Sequence, residues 1–264
     1  MRGFFIRAMS SLVYVALILS AVLYSKDTFF ILFFIFMLLC LYEFKNLIAL
    51  SYKWTVVVAS LIYLNATEQP FIPQKYVFIS LVVSIFVPII YQLFKPNITL
   101  TFSKLGHYFL SLAYIAIPFA LMVQIPFFKG EYQPTLILGI FILIWASDTF
   151  AYLTGSLLGK HKLYKSVSPN KTIEGALGGL IAALVAALII SNYFIVIPTK
   201  HWLVIALIVF IFGLLGDLIE SRFKREAGVK DSSNFIPGHG GFLDRLDSLI
   251  FASPFVYVYL YLIQ

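Results

Sequence analysis

Acidic and basic side chains are concentrated in one short stretch near the end of the chain. The segment PGHGGFLDRLD, residues 237–247, holds three glycines, a histidine, an arginine and two aspartates. Asp244 and Asp247 are three residues apart, so they share one face at the start of a predicted helix. There the positive end of the helix dipole favours carboxylates, and the two can share a hard cation. The alternative is that they only cap the helix.

The glycines of this segment have a chemical interpretation of their own. Gly238, Gly240 and Gly241 leave backbone N–H groups open to close approach by phosphate oxygens. His239 between them can serve as a phosphate donor, as a base or simply as a turn residue, and the segment alone does not decide among these. The combination favours an anionic ligand held beside a cation.

A second polar set precedes this segment on the same predicted helix face. Its members, spaced i, i+3, i+4 and i+7, are Asp217, Glu220, Ser221 and Lys224. They can converge on one ligand. The alternative is a capped helix end with snorkelling Lys and Arg side chains, which accounts for Arg222 and Arg225. It does not account for Asp217, which lies more than a turn inside the predicted span.

The third polar stretch is SVSPNKTIEGALGG, residues 166–179. Ser168 precedes Pro169 in a predicted turn, and Thr172 opens a helix whose N-terminal amides can receive an anion. Lys171 adds positive charge beside them. The alternative is a helix cap followed by small residues that allow close helix packing in lipid. Both interpretations can hold together.

The elements that must position these residues are membrane helices. The chain has 264 residues, 61% of them hydrophobic and only 12% charged, whereas soluble domains carry about a quarter charged residues. We predict an all-α polytopic membrane protein. Hydropathy predicts nine helices, at about residues 8–25, 28–44, 54–66, 76–94, 105–124, 134–158, 173–197, 202–222 and 245–263. The third of these stretches is short enough to be interfacial, which would leave eight spans.

The basic residues predict the orientation of these helices. With a cytoplasmic N-terminus, only Lys26, Lys75, Lys129 and Lys200 of the 19 basic residues fall outside, as the positive-inside rule requires. The net charge of +7 therefore follows the cytoplasmic loops and does not indicate nucleic-acid binding. A single cysteine, Cys40, excludes a disulfide framework and a thiolate metal cluster.

The two halves of the chain differ in polarity. We predict one integral membrane domain over residues 1–264, with apolar N-terminal helices in 1–104 and catalytic helices in 105–264. In the second half the acids gather at the cytoplasmic ends of the last four helices, where we place the active site. Asp148 lies roughly 16 Å inside its helix, which costs about 2.5–3.5 kcal/mol unless it faces a partner or a wet cavity. In the first half, Glu43 is either a boundary residue or a bundle-facing partner.

The residues together predict a metal-assisted reaction on phosphates at the cytoplasmic membrane face. At this point a resemblance becomes visible. SRFKREAGVKDSSNFIPGHGGFLDRLD, residues 221–247, resembles the signature of phosphatidate cytidylyltransferases, also called CDP-diacylglycerol synthases. SDTFAYLTGSLLGK and SPNKTIEGALGG resemble the two segments that precede it in that family. Phe150 and Asn170 depart from the usual glycine and lysine, and neither departure touches a carboxylate.

The resemblance implies that CTP and phosphatidic acid react to give CDP-diacylglycerol and pyrophosphate, with Mg²⁺ required, in the cytoplasmic (inner) membrane. The implied catalytic residues are Asp217, Lys224, Asp244 and Asp247, and the implied metal ligands are Asp217 and Asp244, supported by Asp247 and Asp148. The implied substrate-binding residues are Ser168, Lys171, Thr172, Ser221, Arg225, Lys230, His239, Gly240, Gly241 and Arg245. A homodimer, supported by the apolar first half, is a further expectation.

Two other functions remain open from the sequence. A CTP-dependent kinase acting on a lipid alcohol would use a similar site, but it would need a base for the hydroxyl and would release CDP. A proton- or ion-coupled transporter would use Asp148 and Asp217 as relay residues. Transporters commonly show paired halves with broken helices, whereas here polarity is confined to one half of the chain.

Overall fold

A computed structural model describes residues 2–49, 53–68, 75–94, 103–238 and 240–264. Ten α-helices and one short hairpin make up most of this described part. The helices are α1 (Arg2–Tyr24), α2 (Lys26–Leu47), α3 (Lys53–Glu68), α4 (Lys75–Phe94), α5 (Lys104–Ser111), α6 (Ile117–Met122), α7 (Pro134–Leu158), α8 (Ile173–Ser191), α9 (Thr199–Glu226) and α10 (Leu243–Ile263). A π-helical turn, Leu112–Ala116, joins α5 to α6, and a 3₁₀ turn, Ile125–Phe127, follows α6.

Many of the helices have the length and composition of membrane spans. Among the described residues, six stretches qualify, namely Lys26–Leu47, Leu105–Phe127, Pro134–Leu158, Ile173–Ser191, Thr199–Glu226 and Leu243–Ile263. The predicted class, a helical multi-pass membrane protein, is therefore confirmed. Helices α1, α3 and α4 lie where the other three spans are predicted, so the count of nine stays a prediction.

The outward faces of the helices are apolar, as lipid contact requires. On α8, for example, Leu177, Ile181, Val185 and Leu188 recur at helical spacing and are each about half exposed or more. A soluble protein rarely exposes contiguous apolar surface of this extent. Within lipid, the α-helix satisfies every backbone polar group internally, which explains why these apolar stretches fold as helices.

A small hairpin interrupts the helices between α7 and α8. Strand β1 (Lys162–Tyr164) pairs antiparallel with β2 (Ser168–Thr172), and Tyr164 lies opposite Ser168. The prediction that Ser168 lies in a turn is wrong, because the turn occupies residues 165–167 and Ser168 begins β2. Pro169 is tolerated there because a two-stranded sheet consists only of edge strands.

Helix ends and close helix contacts fix the last four helices against each other. Thr172 caps α8, since its Oγ1 accepts a hydrogen bond from the Gly175 amide at 3.1 Å. A Cβ on Gly175 would come within 2.7 Å of the Ala151 carbonyl oxygen on α7, so α7 and α8 approach closely. A Cβ on Gly216 would likewise come within 2.7 Å of the α10 backbone. The contact at Gly175 confirms the close packing predicted for the small residues after Thr172.

Candidate active site

A cavity of about 620 Å³ lies among α7, the β2–α8 junction, α9 and α10. Its charged lining contains more acids than bases in the described part of the chain. The acids are Asp148, Asp217, Asp231, Asp244 and Asp247, and the bases are Lys171, Lys224 and Arg245. An excess of carboxylates in one cavity attracts cations, and the bases beside them can bind anions. The cavity therefore suits a cation and an anionic ligand together.

Three carboxylates meet at the α9–α10 contact. Among the described residues, Asp217, Glu220 and Asp247 each offer an oxygen within 4.8 Å of the others. Asp217 and Glu220 are one turn apart on α9, and the glycine at 216 lets α10 bring Asp247 against them. Glu220 is fully buried, Asp247 is 8% exposed, and Asp217 is partly exposed to the cavity.

Two lysines balance part of the negative charge of this group. Lys171, at the end of β2, forms an ion pair with Asp217. Lys224 is 8% exposed and forms ion pairs with Glu220 and, at 2.6 Å, with Asp244 Oδ1. Buried carboxylates are costly unless they are paired. Each lysine ammonium therefore balances negative charge that a bound metal cation could balance in its place.

Asp244 is the most extensively hydrogen-bonded acid of the cavity. While its Oδ1 binds Lys224, its Oδ2 accepts hydrogen bonds from the Gly241 amide at 2.7 Å and the Ser232 amide at 2.9 Å. The Ser232 hydroxyl lies 2.8 Å from the same oxygen. Asp244 therefore joins the loop before α10 to Lys224 on α9.

Comparison with known proteins identifies the kind of enzyme to which this cavity belongs. A family model described as the cytidylyltransferase family matches residues 5–263. The chain belongs to the cytidylyltransferase family. The resemblance seen in the signature segment is thus confirmed over almost the whole length of the chain.

Similar members of the cytidylyltransferase family are bacterial proteins named phosphatidate cytidylyltransferase. One from Bacillus subtilis (strain 168) is 44% identical over 160 residues, which cover 60% of this chain and 59% of that protein. One from Staphylococcus aureus (strain COL) is 40% identical over 183 residues, covering 69% and 68%. One from Staphylococcus haemolyticus (strain JCSC1435) is 41% identical over 185 residues, again covering 69% and 68%. The matches thus span about 60 to 70% of the length of these relatives.

The donor atoms fit a hard divalent cation, as cytidylyltransferase chemistry on phosphates would use. All three clustered groups are carboxylates, and oxygen is the donor that Mg²⁺ prefers. Mg²⁺ usually takes only one or two protein carboxylates, with waters and substrate phosphates completing its coordination. The cavity beside the cluster offers the space for those further ligands.

Many of the residues that the sequence predicts for a cytidylyltransferase site lie together. Those that line the cavity are Asp148, Lys171, Thr172, Asp217, Lys224, Asp244, Arg245 and Asp247. Ser221 adjoins them, since its hydroxyl donates to Asp217 Oδ1 at 3.2 Å. The carboxylate cluster differs from the expected set of metal ligands, because it contains Glu220 but neither Asp148 nor Asp244. Lys224 links Asp244 to the cluster, since it forms ion pairs with both Asp244 and Glu220.

The remaining predicted residues that the structure describes do not belong to the cavity lining. The Arg225 guanidinium donates to the backbone carbonyls of Val167 and Val229, and Lys230 is exposed. Ser168 and Gly240 are held by strand or bridge pairing, and Gly241 belongs to the loop that Asp244 binds. His239 lies outside the described residues.

Two acids at or beside the cavity have no site role in the sequence-based prediction. Asp231 lines the cavity beside Asp244, although in the sequence it is recognisable only as part of the signature. Glu43 on α2 is fully buried and accepts four hydrogen bonds from residues 232–243, the loop that precedes α10. The signal for Glu43 was present, since an acid in an apolar helix is a functional-site hypothesis by default.

Proposed function

We propose that this chain is a phosphatidate cytidylyltransferase, which converts CTP and phosphatidic acid to CDP-diacylglycerol and pyrophosphate in phospholipid biosynthesis. The observation that carries the proposal is the cavity itself, in which clustered carboxylates and lysines lie at the ends of membrane helices. The names of the similar bacterial proteins support the same substrates.

The proposed reaction is a displacement at phosphorus. An oxygen of the lipid phosphate forms a bond to the α-phosphorus of CTP, the bond from that phosphorus to the β-phosphate oxygen breaks, and pyrophosphate leaves with the electron pair. The attacking oxygen is already anionic at neutral pH, so the step needs no strong general base. The main barrier is repulsion between two anionic substrates, which fixed positive charges reduce.

The basic residues of the cavity are proposed to meet this repulsion. Lys171 pairs with Asp217 and Lys224 with Glu220, and Arg245 lines the same cavity. The two lysines could contact substrate phosphates when a divalent cation neutralises the carboxylates they now pair with, and Arg245 could do so from the cavity wall. Further contacts proposed on the resemblance alone are Ser168, Thr172, Ser221, Arg225, Lys230, His239, Gly240 and Gly241.

Mg²⁺ is the proposed cofactor. Asp217 and Asp247, with Glu220 beside them, supply the clustered oxygens, and we retain Asp244 and Asp148 as predicted further ligands. When bound, Mg²⁺ would neutralise phosphate charge and draw electron density from the α-phosphorus. The carboxylates would hold and orient it, while the lysines would balance the charge that remains.

The proposed setting is the cytoplasmic (inner) membrane, with nine crossings, a cytoplasmic N-terminus and a homodimer as the assembly. A single domain over residues 1–264 would combine a supporting part (1–104) and a catalytic part (105–264). Cysteines substituted for the exposed Lys162 and Lys200 test the topology, because the native Cys40 is buried. Labelling by an impermeant maleimide in intact cells is expected at Lys200→Cys only, and the opposite pattern would invert the topology.

The reaction is tested by pyrophosphate release from the purified protein in detergent with CTP, phosphatidic acid and Mg²⁺. Release should require both substrates, stop with EDTA and resume with added Mg²⁺. Asp217→Asn and Asp247→Asn should each abolish it. Asp27→Asn is the matched control, because it makes the same charge change at an exposed position at the far end of α2 from Glu43.

Other outcomes would redirect the assignment. If CDP appears in place of pyrophosphate when a lipid alcohol is supplied, the protein is a lipid kinase. If no lipid phosphate or alcohol is turned over while the protein remains folded, the enzyme assignment fails. Proton or ion flux in proteoliposomes that depends on Asp148 would then support transport.

A further inference from the structure

Glu43 is a fully buried carboxylate in the N-terminal half, far in sequence from the candidate active site. It lies near the end of α2, whose other acid, Asp27, is exposed at the helix start. An ionisable side chain in an apolar membrane helix costs several kcal/mol unless it has partners. The partners of Glu43 therefore indicate what it does.

Each oxygen of the Glu43 carboxylate accepts two hydrogen bonds from the loop that precedes α10. Oε1 accepts from the Ser233 hydroxyl at 2.7 Å and from the Phe242 amide at 2.9 Å. Oε2 accepts from the Ser232 hydroxyl at 2.9 Å and from the Leu243 amide at 2.7 Å. All four donors belong to residues 232–243, so one side chain fixes both ends of this loop.

The two amides belong to the N-cap residue Phe242 and to Leu243, the first residue of α10, the helix that carries Asp244 and Asp247. A helix start usually obtains its acceptor from its own N-cap side chain. Here the N-cap residue is Phe242, whose apolar side chain cannot accept a hydrogen bond. Glu43 supplies the acceptor from another helix, and its negative charge is favoured at the positive end of the α10 dipole.

A direct link runs from Glu43 to the acids of the cavity. The Ser232 hydroxyl lies 2.9 Å from Glu43 Oε2 and 2.8 Å from Asp244 Oδ2, and its single hydrogen can serve one of them at a time. Gly241 passes directly over the Ser232 hydroxyl and the Glu43 carboxylate, because a Cβ there would overlap the hydroxyl oxygen and come within 2.6 Å of the Glu43 carboxyl carbon. A side chain at this position would therefore separate the loop from α2.

We infer that Glu43 is a positioning residue: it holds loop 232–243 and the start of α10 so that Asp247 lies beside Asp217 and Asp244 reaches Lys224. The inference rests on the proposed function for the identity of the cation and the reaction. It also assigns a role to the apolar half of the chain, since α2 supplies part of the frame of the active site.

The test compares Glu43→Gln with wild type and with Cys40→Ala. Gln has the same shape, but its NH₂ group would face two of the four donors. Cys40 is fully buried on α2 one turn away, so its truncation controls for general loss of packing in that helix. Two quantities are measured: the Mg²⁺ concentration that gives half-maximal pyrophosphate release, and amide hydrogen exchange of residues 240–247 without substrate.

In Glu43→Gln we expect the half-saturating Mg²⁺ concentration to rise about 10- to 100-fold, the range typical for loss of a partner that orients metal ligands. The Phe242 and Leu243 amides should exchange at least about tenfold faster. Cys40→Ala should leave both quantities within about twofold of wild type. Glu43→Asp keeps the charge but is one methylene shorter, so it should restore only part of the Mg²⁺ affinity.

The inference is overturned if Glu43→Gln matches Cys40→Ala in both quantities. Should Glu43→Gln fail to fold, Ser233→Ala decides, because it removes one of the four donors. It is expected to raise the half-saturating Mg²⁺ concentration several-fold, and a wild-type value would refute the role of Glu43. If wild-type protein releases no pyrophosphate, the proposed function fails on its own. Amide exchange then still tests the role of Glu43 in holding the loop.

Discussion

Replacement of Lys224 by Met removes the positive charge between two acids while keeping the length of the side chain. Lys224 Nζ lies 2.6 Å from Asp244 Oδ1 and also pairs with Glu220, which is fully buried. One such pair is worth about 6 kcal/mol by Coulomb's law at an effective dielectric constant of 20. Desolvation of the lysine offsets part of this, and loss of one partner of a buried pair typically costs about 3–5 kcal/mol.

Thermal unfolding in detergent measures the effect. For chains of this size a loss of 1 kcal/mol lowers the melting temperature by about 2–4 °C, so Lys224→Met should lower it by roughly 10 °C. Adding Glu220→Gln removes one of the two unpaired charges and should recover about half of the loss. Lys162→Met, at an exposed position on β1, is the control and should change little. A loss below about 1 kcal/mol, or no recovery in the double variant, would refute the electrostatic reasoning.

Three further predictions concern the junction of β2 and α8. Gly175→Leu would force α8 away from α7, so we expect a loss of about 1–3 kcal/mol in stability and a higher KM for CTP. Leu177→Ala, on the exposed face of α8, is the control and should change neither quantity. Lys171→Gln frees Asp217 from its ion pair, so in the absence of CTP it should strengthen divalent-cation binding several-fold. The measurement is the metal-induced rise in melting temperature, which should be larger than in wild type. Weaker binding would contradict competition between the ammonium and the metal. Thr172→Ala removes the α8 cap and should lower the free energy of unfolding by about 1 kcal/mol, most of which Thr172→Ser should restore. Equal stability of the two variants would show that the hydroxyl does not matter.

The predictable part of the structure depends on spacing along a single helix. Hydropathy gave the positions of the long apolar helices, and the cap at Thr172 was visible as a hydroxyl residue before an apolar run. The i, i+3 relation of Asp217 and Glu220 places both on one face whatever else surrounds them. The run of small residues after Thr172 likewise predicted close packing, which the structure has between α7 and α8.

The unpredictable part depends on how separate helices are rotated against each other. Sequence spacing could not determine that Glu220 would join Asp217 and Asp247 while Asp244 turned toward Lys224 and the loop. The partners of Glu43 are 189 to 200 residues away, so no local pattern could distinguish a boundary residue from a buried one. The hairpin before α8 was also missed, because three- and five-residue strands carry almost no periodic signal.

The long sequence separation between Glu43 and its hydrogen-bond donors has a consequence for biosynthesis. Translation at about 5–20 residues per second leaves roughly 10–40 seconds between synthesis of α2 and synthesis of the loop that completes its carboxylate. During that interval Glu43 lacks the four donors that satisfy its carboxylate in the folded protein. An acid without partners in an apolar helix is costly, so we expect the incomplete chain to be a substrate for degradation. A chain truncated before Asp231 should therefore be degraded faster than the full chain in a pulse-chase experiment, and Glu43→Leu should lengthen its lifetime. Through this one side chain, a loop synthesised about 190 residues later completes the packing of an early helix.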